Sequence, residues 1–459
     1  MQIYKLGEEE FMNNWVNESI FYQIYPLGFC GAPKVNDMSK DPEPRIKKII
    51  EWIPHLKDLG VNALYLGPIF ESTEHGYDTA DYRLIDRRLG TNEDFKEVCE
   101  KLHENDIKVV LDGVFNHVGR DFNHFKDVQV NLNNSKYCSW FSGLNFNCGN
   151  PMGDPFTYDA WEGHYNLVKL NLKNREVVDY LLESVAMWMD EFNIDGLRLD
   201  AADCVDMDFF RELRRFCKGK KQDFWLMGEI IHGDYSRWAN DEMLDSVTNY
   251  ECYKGIYSSH NDKNYFEIAH SLMRQFGNGG IYKNIYTYNF VDNHDVNRVA
   301  STVRNKEYLK NIYTVLYTMP GVPSIYYGSE YGIEGVKENG SDANLRPELN
   351  LKDLKENELT KHIKKLGEAR KNSDAIKYGD FEQVIIKNEQ LVYKRCSDNQ
   401  IAYILLNVGE QDFYANFNIN SNKKLKEVLA SEEVIEANNS NVDIKVEPYS
   451  SRILVEIDE

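Results

Sequence analysis

Apolar runs rich in β-branched and aromatic residues alternate with amphipathic stretches up to about residue 374, a pattern typical of parallel β-α units. The apolar runs predict eight strands, over residues 19–29, 63–69, 108–116, 195–201, 224–230, 243–250, 286–293 and 322–329. Between the strands, apolar residues spaced three and four apart predict helices over 45–59, 92–104, 174–192, 207–218, 261–275, 305–318 and 357–371. Eight strands with interleaved helices favour a (β/α)8 TIM barrel over an open doubly wound sheet.

Two regions of the chain do not follow this alternation. The segment 118–170 is too long for a simple connection after the third strand and is rich in Asn, Gly, Asp and aromatic residues, which indicates an inserted subdomain. Beyond about residue 378, alternating apolar and polar positions without long helices indicate a small antiparallel β-sandwich. We therefore predict a barrel over 1–117 and 171–376, an inserted subdomain over 118–170 and a C-terminal sandwich over 377–459.

The net charge and the cysteine content limit which partners and which cellular compartment we expect for this chain. With 53 Lys and Arg against 74 Asp and Glu, the net charge of −21 repels phosphate backbones and anionic lipids, so we expect no nucleic-acid and no membrane partner. The first residues, MQIYKLGEEE, lack the basic start and apolar run of an export signal. The eight cysteines contain no C-x-x-C pair, which fits reduced thiols. We expect a cytoplasmic protein.

Charged and polar residues close several of the predicted strands, at the end where a barrel carries its active site. They are Asp112, Asn116 and His117 at the third strand, Arg198 and Asp200 at the fourth, Glu229 at the fifth, and Asp292, Asn293, His294 and Asp295 at the seventh. Paired carboxylates without a phosphate-binding loop or a metal-binding motif suggest glycoside hydrolysis, in which one carboxylate is the nucleophile or base and the other is the acid.

The surroundings of two of these carboxylates separate their roles. Arg198 lies two residues before Asp200 on a strand, so both side chains point to one face and the guanidinium can keep the carboxylate ionised, as a nucleophile requires. Glu229 follows the apolar run FWLM, where desolvation and like charge favour the protonated form that a general acid needs.

Five sequence blocks carry a resemblance to a known family. They are GYDTADY (76–82), DGVFNHV (112–118), GLRLDAAD (196–203), GEI (228–230) and FVDNHD (290–295). The last four, in this order and spacing, resemble the four signature regions of the α-amylase family of glycoside hydrolases. Together with the first block, the similarity spans essentially the whole predicted barrel.

The resemblance implies a role for each matched residue. It implies a retaining mechanism with Asp200 as nucleophile, Glu229 as acid/base and Asp295 as the carboxylate that stabilises the oxocarbenium-like transition state. It further implies six substrate-binding residues: Tyr77 as a platform under the sugar, His117, Arg198 and His294 as hydrogen-bond donors, and the pair Asp342 and Arg346 in the loop after the eighth strand.

Shorter segments resemble one group within the family. LVKLN (167–171) and GEIIHGDYSRW (228–238) are similar to segments of the neopullulanase, cyclomaltodextrinase and maltogenic amylase group, and Ala201 resembles the residue of α-1,4-acting members. Because the first predicted barrel strand lies close to the first residue, we expect the chain to differ from this group in lacking its N-terminal β-domain. It also carries Ile231 where the group has Trp.

The resemblance implies a retaining α-glucan hydrolase that cleaves α-1,4-glucosidic bonds in maltodextrins or cyclodextrins through a covalent glycosyl-enzyme intermediate. Two alternatives stay open: a 4-α-glucanotransferase or transglycosylase on the same scaffold, and a non-catalytic carbohydrate-binding barrel. We expect an α-glucan oligosaccharide as partner and no required cofactor, and an oligomer stays open. Asn116 matches a position that often binds structural Ca²⁺ in secreted relatives, so calcium stays open as well.

Overall fold

Eight short parallel strands form the middle of the molecule. In the computed structural model, which describes residues 15–338, 340–420 and 423–458, they are β1 (Phe21–Ile24), β2 (Ala63–Leu66), β3 (Lys108–Gly113), β4 (Gly196–Leu199), β5 (Trp225–Gly228), β6 (Ser246–Val247), β7 (Tyr288–Phe290) and β8 (Val322–Tyr326). Neighbours follow the order β6-β5-β4-β3-β2-β1-β8-β7, and a parallel bridge between Thr248 and Tyr288 joins the two ends. The predicted barrel is confirmed.

Aromatic side chains fill the inside of the barrel. The ring of Phe21 lies 5.1 Å from that of Trp225 and 5.5 Å from that of Tyr288, measured between centroids, and Tyr65 belongs to the same buried cluster. A barrel packed in this way has no open pore along its axis. Any site must therefore lie at one end of the strands.

Amphipathic helices surround the strands. In chain order they are α1 (Lys48–Asp58), α2 (Asn92–His103), α3 (Asn123–Asn131), α4 (Arg175–Glu191), α5 (Met207–Lys220), α6 (Tyr250–Asn261), α7 (Phe266–Phe276), α8 (Tyr308–Thr318), α9 (Glu358–Lys371) and α10 (Asp374–Tyr378), with single turns at Pro26–Phe29 and Val299–Thr302. The prediction for α4 is confirmed: Asn174 caps it by accepting a hydrogen bond from the backbone N–H of Glu176, and Leu181, Val185 and Trp188 are buried.

The predictions are wrong in detail around the sixth strand. The sequence predicts one strand over residues 243–250, yet only Ser246–Val247 pair in the barrel and α6 begins at Tyr250. The predicted helix 261–275 is α7, which starts at Phe266, and α6 precedes it. The side chain of Asn249 accepts a hydrogen bond from the backbone N–H of Cys252, so this N-cap turns the chain into a helix where aromatic residues suggested a strand.

The segment after β3 forms its own layer above the barrel. It contains a three-stranded antiparallel sheet of His117–Gly119, Ala160–Trp161 and His164–Lys169, with helix α3 beside it. Arg120, near the start of the insertion, donates to both carboxylate oxygens of Asp154, at 2.6 and 2.9 Å, and so links two distant parts of this segment. The insertion thus has a defined structure next to the C-terminal ends of the strands.

The last part of the chain is antiparallel. Its strands are β9 (Asp380–Ile386), β10 (Gln390–Cys396), β11 (Ile401–Asn407), β12 (Phe413–Asn418), β13 (Lys423–Glu427), β14 (Val434–Glu436), β15 (Asn441–Val446) and β16 (Ser450–Asp458). Six form one sheet in the order β9-β10-β11-β16-β13-β14, and β12 pairs with β15. Side chains such as Leu405 and Val442 are buried in a core that both sheets share, as the predicted sandwich requires.

The first 14 residues of the predicted barrel segment 1–117 lie outside the described residues, and the residue boundaries of the three parts stay a prediction. Among the residues described, no helix combines the length and the apolar character that crossing a bilayer demands.

Candidate active site

The C-terminal ends of strands β3, β4 and β5 bring acidic and basic side chains together. In the parallel register Asp112 on β3 stands beside Arg198 on β4, and Asp200 and Glu229 follow directly after β4 and β5. Because the strands end at the same edge, these side chains meet above the aromatic interior of the barrel. Asp295 follows β7 and completes the ring from the other side.

Arg198 is the centre of this cluster. Its Nη1 atom lies 2.9 and 3.0 Å from the two oxygens of Asp112 and 2.9 Å from Oδ1 of Asp200, and its Nη2 lies 2.8 Å from Oε2 of Glu229. Burial opposes the charge, but the carboxylates of Asp112 and Glu229 raise the pKa of Arg198. The guanidinium therefore stays charged and fixes three carboxylates at once.

Asp200 is nearly enclosed, with 8% of its surface exposed. Burial and the negative charges of Glu229 and Asp112 raise the pKa of Asp200, whereas Arg198 acts in the opposite direction. Asp200 and Glu229 contact the same guanidinium, so one buried cation serves both carboxylates. The upward direction at Asp200 differs from the sequence expectation, in which Arg198 keeps this carboxylate ionised, because burial and the neighbouring carboxylates outweigh the guanidinium.

The backbone after Asp200 is shaped to hold Glu229. Ala201 has φ of +42°, a left-handed conformation that costs a residue with a Cβ about 1–2 kcal/mol. In this conformation its N–H donates to Oε2 of Glu229 over 3.1 Å. The Tyr250 hydroxyl lies 3.4 Å from Oε1 of the same carboxylate. The strain at Ala201 thus positions the second carboxylate of the pair.

Asp295 is held by hydrogen-bond donors from Arg346 and His294. Nη2 of Arg346 donates to Oδ1 of Asp295 at 2.9 Å and to Oδ2 of Asp342 at 3.0 Å, and Nε2 of His294 lies 2.9 Å from Oδ2 of Asp295. Burial acts the other way, but His294 and Arg346 lower the pKa of Asp295 well below its ordinary value. With a third of its side chain exposed, Asp295 offers a permanent negative charge to the cleft.

His294 lies between two tyrosine rings with a fixed orientation. Nε2 of Gln23 lies 2.8 Å from Nδ1 of His294, and the hydroxyl of Tyr77 contacts Nε2 of the same ring. The rings of Tyr25 and Tyr77 lie nearly parallel to the imidazole, with centroids at 6.0 and 5.7 Å. With the amide nitrogen of Gln23 as donor, Nδ1 is the acceptor, which leaves a ring hydrogen of His294 on Nε2, toward Asp295.

His117 enters the site from the inserted layer. It is buried, and burial together with the positive charge of His75 lowers its pKa to about 3, so it is neutral at physiological pH. Its Nε2 lies 4.0 Å from Oδ2 of Asp200 and has no hydrogen-bond partner among the described residues. The Trp161 indole, whose ring lies 5.8 Å away, likewise has an Nε1 atom without a partner there. Both donors can serve a ligand.

Comparison with known proteins decides the family. The family model for the α-amylase catalytic domain matches residues 23–353, which include the whole carboxylate cluster. The chain belongs to the α-amylase family. It is a glycoside hydrolase of that family.

Relatives within the α-amylase family cover nearly the whole chain. The chain is 32% identical to a maltogenic α-amylase of Bacillus acidopullulyticus, over 95% of this chain and 77% of that protein. It is also 32% identical to a cyclomaltodextrinase of Geobacillus thermopakistaniensis, over 95% of this chain and 76% of that protein. An intracellular maltogenic amylase of Bacillus subtilis is 31% identical over 90% of this chain and 72% of its own length.

Solved structures of α-amylase family enzymes show the same architecture. A cyclomaltodextrinase superposes with a TM-score of 0.84 at 28% identity, over 96% of this chain and 78% of that one. The ligand-free cyclic α-maltosyl-(1→6)-maltose hydrolase of Arthrobacter globiformis gives a TM-score of 0.81 at 26% identity, over 96% of this chain and 99% of that one. The predicted resemblance to this family and group is confirmed.

The position that the sequence suggested for calcium offers one suitable oxygen. Oδ1 of Asn116 is buried without a hydrogen-bond partner, while its Nδ2 lies 3.2 Å from Nδ1 of His117. Within the described part of the chain, no group of three or more His, Cys, Asp or Glu side chains could hold a metal ion. The calcium site at Asn116 therefore stays a prediction, and no reaction step is derived through a cation.

The structure brings the predicted site residues of this α-amylase family chain to one cleft. They are Asp200, Glu229, Asp295, Tyr77, His117, Arg198, His294, Asp342 and Arg346. The sequence analysis missed Gln23, Tyr250 and Trp161. A polar residue inside the apolar strand FYQI was a signal for Gln23, whereas an irregular insertion gave no signal for Trp161.

Proposed function

We propose that this α-amylase family hydrolase cleaves α-1,4-glucosidic bonds in maltodextrins and cyclodextrins, with retention of configuration at the anomeric carbon. The observation that carries the proposal is the contact of one buried guanidinium, Arg198, with both Asp200 and Glu229. Arg198 stabilises the negative charge that Asp200 carries as nucleophile and that Glu229 carries once it has given up its proton, and double-displacement chemistry needs both.

In the proposed first step, Asp200 attacks the anomeric carbon of the glucosyl unit on the non-reducing side of the bond. Arg198 engages Oδ1 of Asp200 and leaves Oδ2 as the attacking atom. Glu229 gives its proton to the glycosidic oxygen as the bond from that oxygen to the anomeric carbon breaks. The products are an ester between Asp200 and the glucosyl unit and a shortened glucan with a free hydroxyl.

In the second step water releases the sugar. Glu229, now ionised, takes one proton from the water while the oxygen of that water attacks the anomeric carbon. The ester bond breaks, Asp200 regains its carboxylate, and the product carries the same anomeric configuration as the substrate. If a sugar hydroxyl replaces water in this step, the same residues carry out transglycosylation, which is the alternative that the sequence left open.

The remaining residues hold the sugar and its developing charge. We propose that Asp295, ionised because His294 and Arg346 lower its pKa, stabilises positive charge on the ring in the transition state. Tyr77 supplies an aromatic platform, and His117 and His294 donate to hydroxyl groups. The other predicted substrate-binding residues are Arg198, Asp342 and Arg346. Of these, Arg198 acts on the sugar through the carboxylates that it binds.

Names of relatives support the substrate and the location in the proposal. The relatives are named maltogenic α-amylase and cyclomaltodextrinase, and one is named an intracellular maltogenic amylase. We propose α-glucan oligosaccharides as substrates and the cytoplasm as the place of action.

Stereochemistry and products together test the proposal. Proton NMR of the first product formed from maltodextrin should show the α anomer, and a β anomer appearing first would contradict retention. Chromatography over time with linear maltodextrin, β-cyclodextrin and pullulan should show ring opening and maltose or glucose. Products longer than the substrate would instead assign a glucanotransferase.

Variants locate the two chemical roles. Asp200→Asn should lose at least about 10³-fold in kcat and still bind glucan. Asp208→Asn, the same change at an exposed position on α5, should keep full turnover.

Glu229→Ala should recover activity with azide and form the α-glucosyl azide, because azide then attacks the intermediate in place of water. Full turnover by Asp200→Asn would contradict the assignment of Asp200 as the nucleophile. A folded wild type that binds glucan without any turnover would make the chain a binding protein.

A further inference from the structure

A buried arginine lies in the loop after β7, close behind Asp295 in the chain. The side chain of Arg298 is fully buried. Its guanidinium carbon lies 4.5 and 5.1 Å from the ring centroids of Tyr326 and Tyr327. Taking a charged group out of water is costly unless its N–H groups find acceptors. The acceptors of Arg298 therefore show which part of the molecule this charge holds in place.

Two of these acceptors belong to the loop that carries Arg346. The backbone N–H of Arg298 donates to the carbonyl oxygen of Gly335 at 3.0 Å, in the first part of the loop. Nη2 of Arg298 donates to the carbonyl oxygen of Leu345 at 2.9 Å, directly before Arg346. One residue at the end of β7 thus anchors the loop at two separate points.

The carbonyl oxygen of Leu345 is held from two sides. It also accepts a hydrogen bond from the hydroxyl of Tyr326 at 2.9 Å, so two buried donors use both lone pairs of this oxygen. The carbonyl belongs to the peptide group whose nitrogen is that of Arg346. Because a peptide group is planar, fixing its carbonyl also fixes the plane from which the backbone of Arg346 continues. The direction of the Arg346 side chain depends on this plane.

The far end of the Arg346 side chain lies in the active site. Its Nη2 donates to Asp295 at 2.9 Å and to Asp342 at 3.0 Å, and its Nε donates to the carbonyl oxygen of His294 at 3.0 Å. Hydrogen bonds weaken steeply when donor and acceptor move out of line. A rotation of the peptide before Arg346 would therefore break its contact with Asp295.

Asp292 supports Arg298 from the end of β7. Its Oδ2 accepts hydrogen bonds from the hydroxyl of Ser329 and from the backbone N–H of Val299, both at 2.8 Å. Nη1 of Arg298 donates to the same Ser329 hydroxyl at 3.2 Å. Burial raises the pKa of Asp292, and the positive charge of Arg298 acts in the opposite direction. Asp292 is thus a group of opposite charge that one hydroxyl links to Arg298.

We propose that Arg298 is a positioning residue, which fixes the peptide between Leu345 and Arg346 and so holds the Arg346 guanidinium against Asp295. Arg298 is fully buried, so it acts through Arg346 and not on the sugar. The effect on turnover rests on the proposed function, in which Asp295 stabilises the transition state. The position of Arg346 can be measured without turnover.

A crystal structure of Arg298→Met tests the position directly. Methionine keeps an unbranched apolar chain between the two tyrosine rings but removes every N–H donor of the side chain. We expect Nη2 of Arg346 to lie beyond about 3.6 Å from Oδ1 of Asp295, outside hydrogen-bond distance. An Arg346 that keeps its contact with Asp295 would overturn the proposal, whether or not the enzyme turns over glucan. A wild type without turnover would contradict the proposed function alone.

A double-mutant cycle tests whether Arg298 acts through Arg346. Arg298→Met should lower kcat/KM on maltodextrin at least about tenfold, the loss of one buried hydrogen bond. Arg346→Met removes the group that Arg298 positions, so adding Arg298→Met to it should change kcat/KM by less than about twofold. An equal loss in both backgrounds would show an effect independent of Arg346 and would refute the proposal.

Tyr326→Phe decides the question if Arg298→Met does not fold. It removes only the second donor to the carbonyl oxygen of Leu345. We expect kcat/KM to fall about threefold to tenfold in this variant, and by less than about twofold beside Arg346→Met. Tyr403→Phe is the matched control, because its hydroxyl donates to Glu456 in the sandwich at 3.0 Å, and it should keep wild-type kinetics. Wild-type kinetics in Tyr326→Phe would contradict the proposal.

Discussion

At the scale of single residues, the main feature of the site is that several carboxylates contact the same cation. One guanidinium, Arg198, contacts three carboxylates, and the protonation of Asp200 depends on how its neighbours are charged. Asp295 is separated from this cluster and is kept ionised by His294 and Arg346. Removing the charge of Asp112 should therefore change the pKa of Asp200 without altering a side chain that contacts the substrate.

The first prediction concerns the pH dependence of Asp112→Asn. The Asp112 carboxylate raises the pKa of Asp200, so its removal lowers that pKa. Because the nucleophile must be ionised, the acidic limb of kcat/KM should move to lower pH, measured over about pH 4–9. Tyr65→Phe removes a hydrogen bond to Asp112 at 2.8 Å without changing the charge. The acidic limb of kcat/KM in this variant should therefore lie nearer to that of the wild type. A limb that moves upward in Asp112→Asn would contradict the prediction.

The second prediction concerns Gln23, which we regard as a positioning residue. Gln23→Met keeps the side-chain length but removes the donor to Nδ1 of His294, so the imidazole loses the fixed tautomer that points a hydrogen at Asp295. We expect kcat/KM to fall about tenfold, the loss of one buried hydrogen bond. An unchanged thermal midpoint would show that the fold is intact, and unchanged kcat/KM would show that Gln23 does not orient His294.

At the scale of elements, loops after the strands hold the second half of the site. Arg346 lies in the loop after β8, where its guanidinium stands 4.5 Å over the Tyr25 ring and reaches Asp295. The turn Pro26–Phe29 after β1 packs against the backbone of this loop. A change in that turn should therefore displace Arg346 and alter its contact with Asp295.

The third prediction is a steric test of this packing. A Cβ at Gly28 would overlap the carbonyl oxygen of Arg346, so Gly28→Ala must push the loop away. We expect kcat/KM to fall at least about tenfold as Arg346 leaves Asp295. Gly219→Ala is the matched control: among the described residues, no atom outside its own stretch of helix α5 lies within 4 Å of the added methyl group, and it should keep wild-type kinetics. Wild-type kinetics in Gly28→Ala would mean that the loop position does not matter.

Elements with a strong period were predictable from sequence, and short or irregular ones were not. Helix α4 shows an apolar stripe and a capping Asn174, so its prediction holds almost to the residue. Strand β6 has two residues, too few to show any period, and the Asn249 cap beside it was overlooked. Site residues on strand ends were predictable because barrels place chemistry there, whereas Trp161 depends on how the insertion folds.

At the scale of the whole molecule, the barrel and the C-terminal sandwich share one core. Ile404 and Leu406 on β11 are buried with the barrel helices, while Leu405 between them points into the core between the two sheets. Asn311 on α8 donates to the carbonyl oxygen of Asn407 at 2.9 Å across this junction. Buried arginines at the same junction bind carbonyl groups of α8. The two parts should therefore unfold together.

The last prediction tests this coupling with Leu405→Ala. The side chain is fully buried among sandwich residues, so its truncation should cost about 2–5 kcal/mol. All seven tryptophans lie at or before residue 238, so tryptophan fluorescence reports only on the barrel and its insertion. In a coupled molecule, the fluorescence midpoint falls by at least about 2 °C, together with the circular dichroism midpoint. Leu405→Met, which conserves volume, should cost less than about 1.5 kcal/mol. A fluorescence midpoint that stays at the wild-type temperature while the sandwich melts earlier would show two independent units.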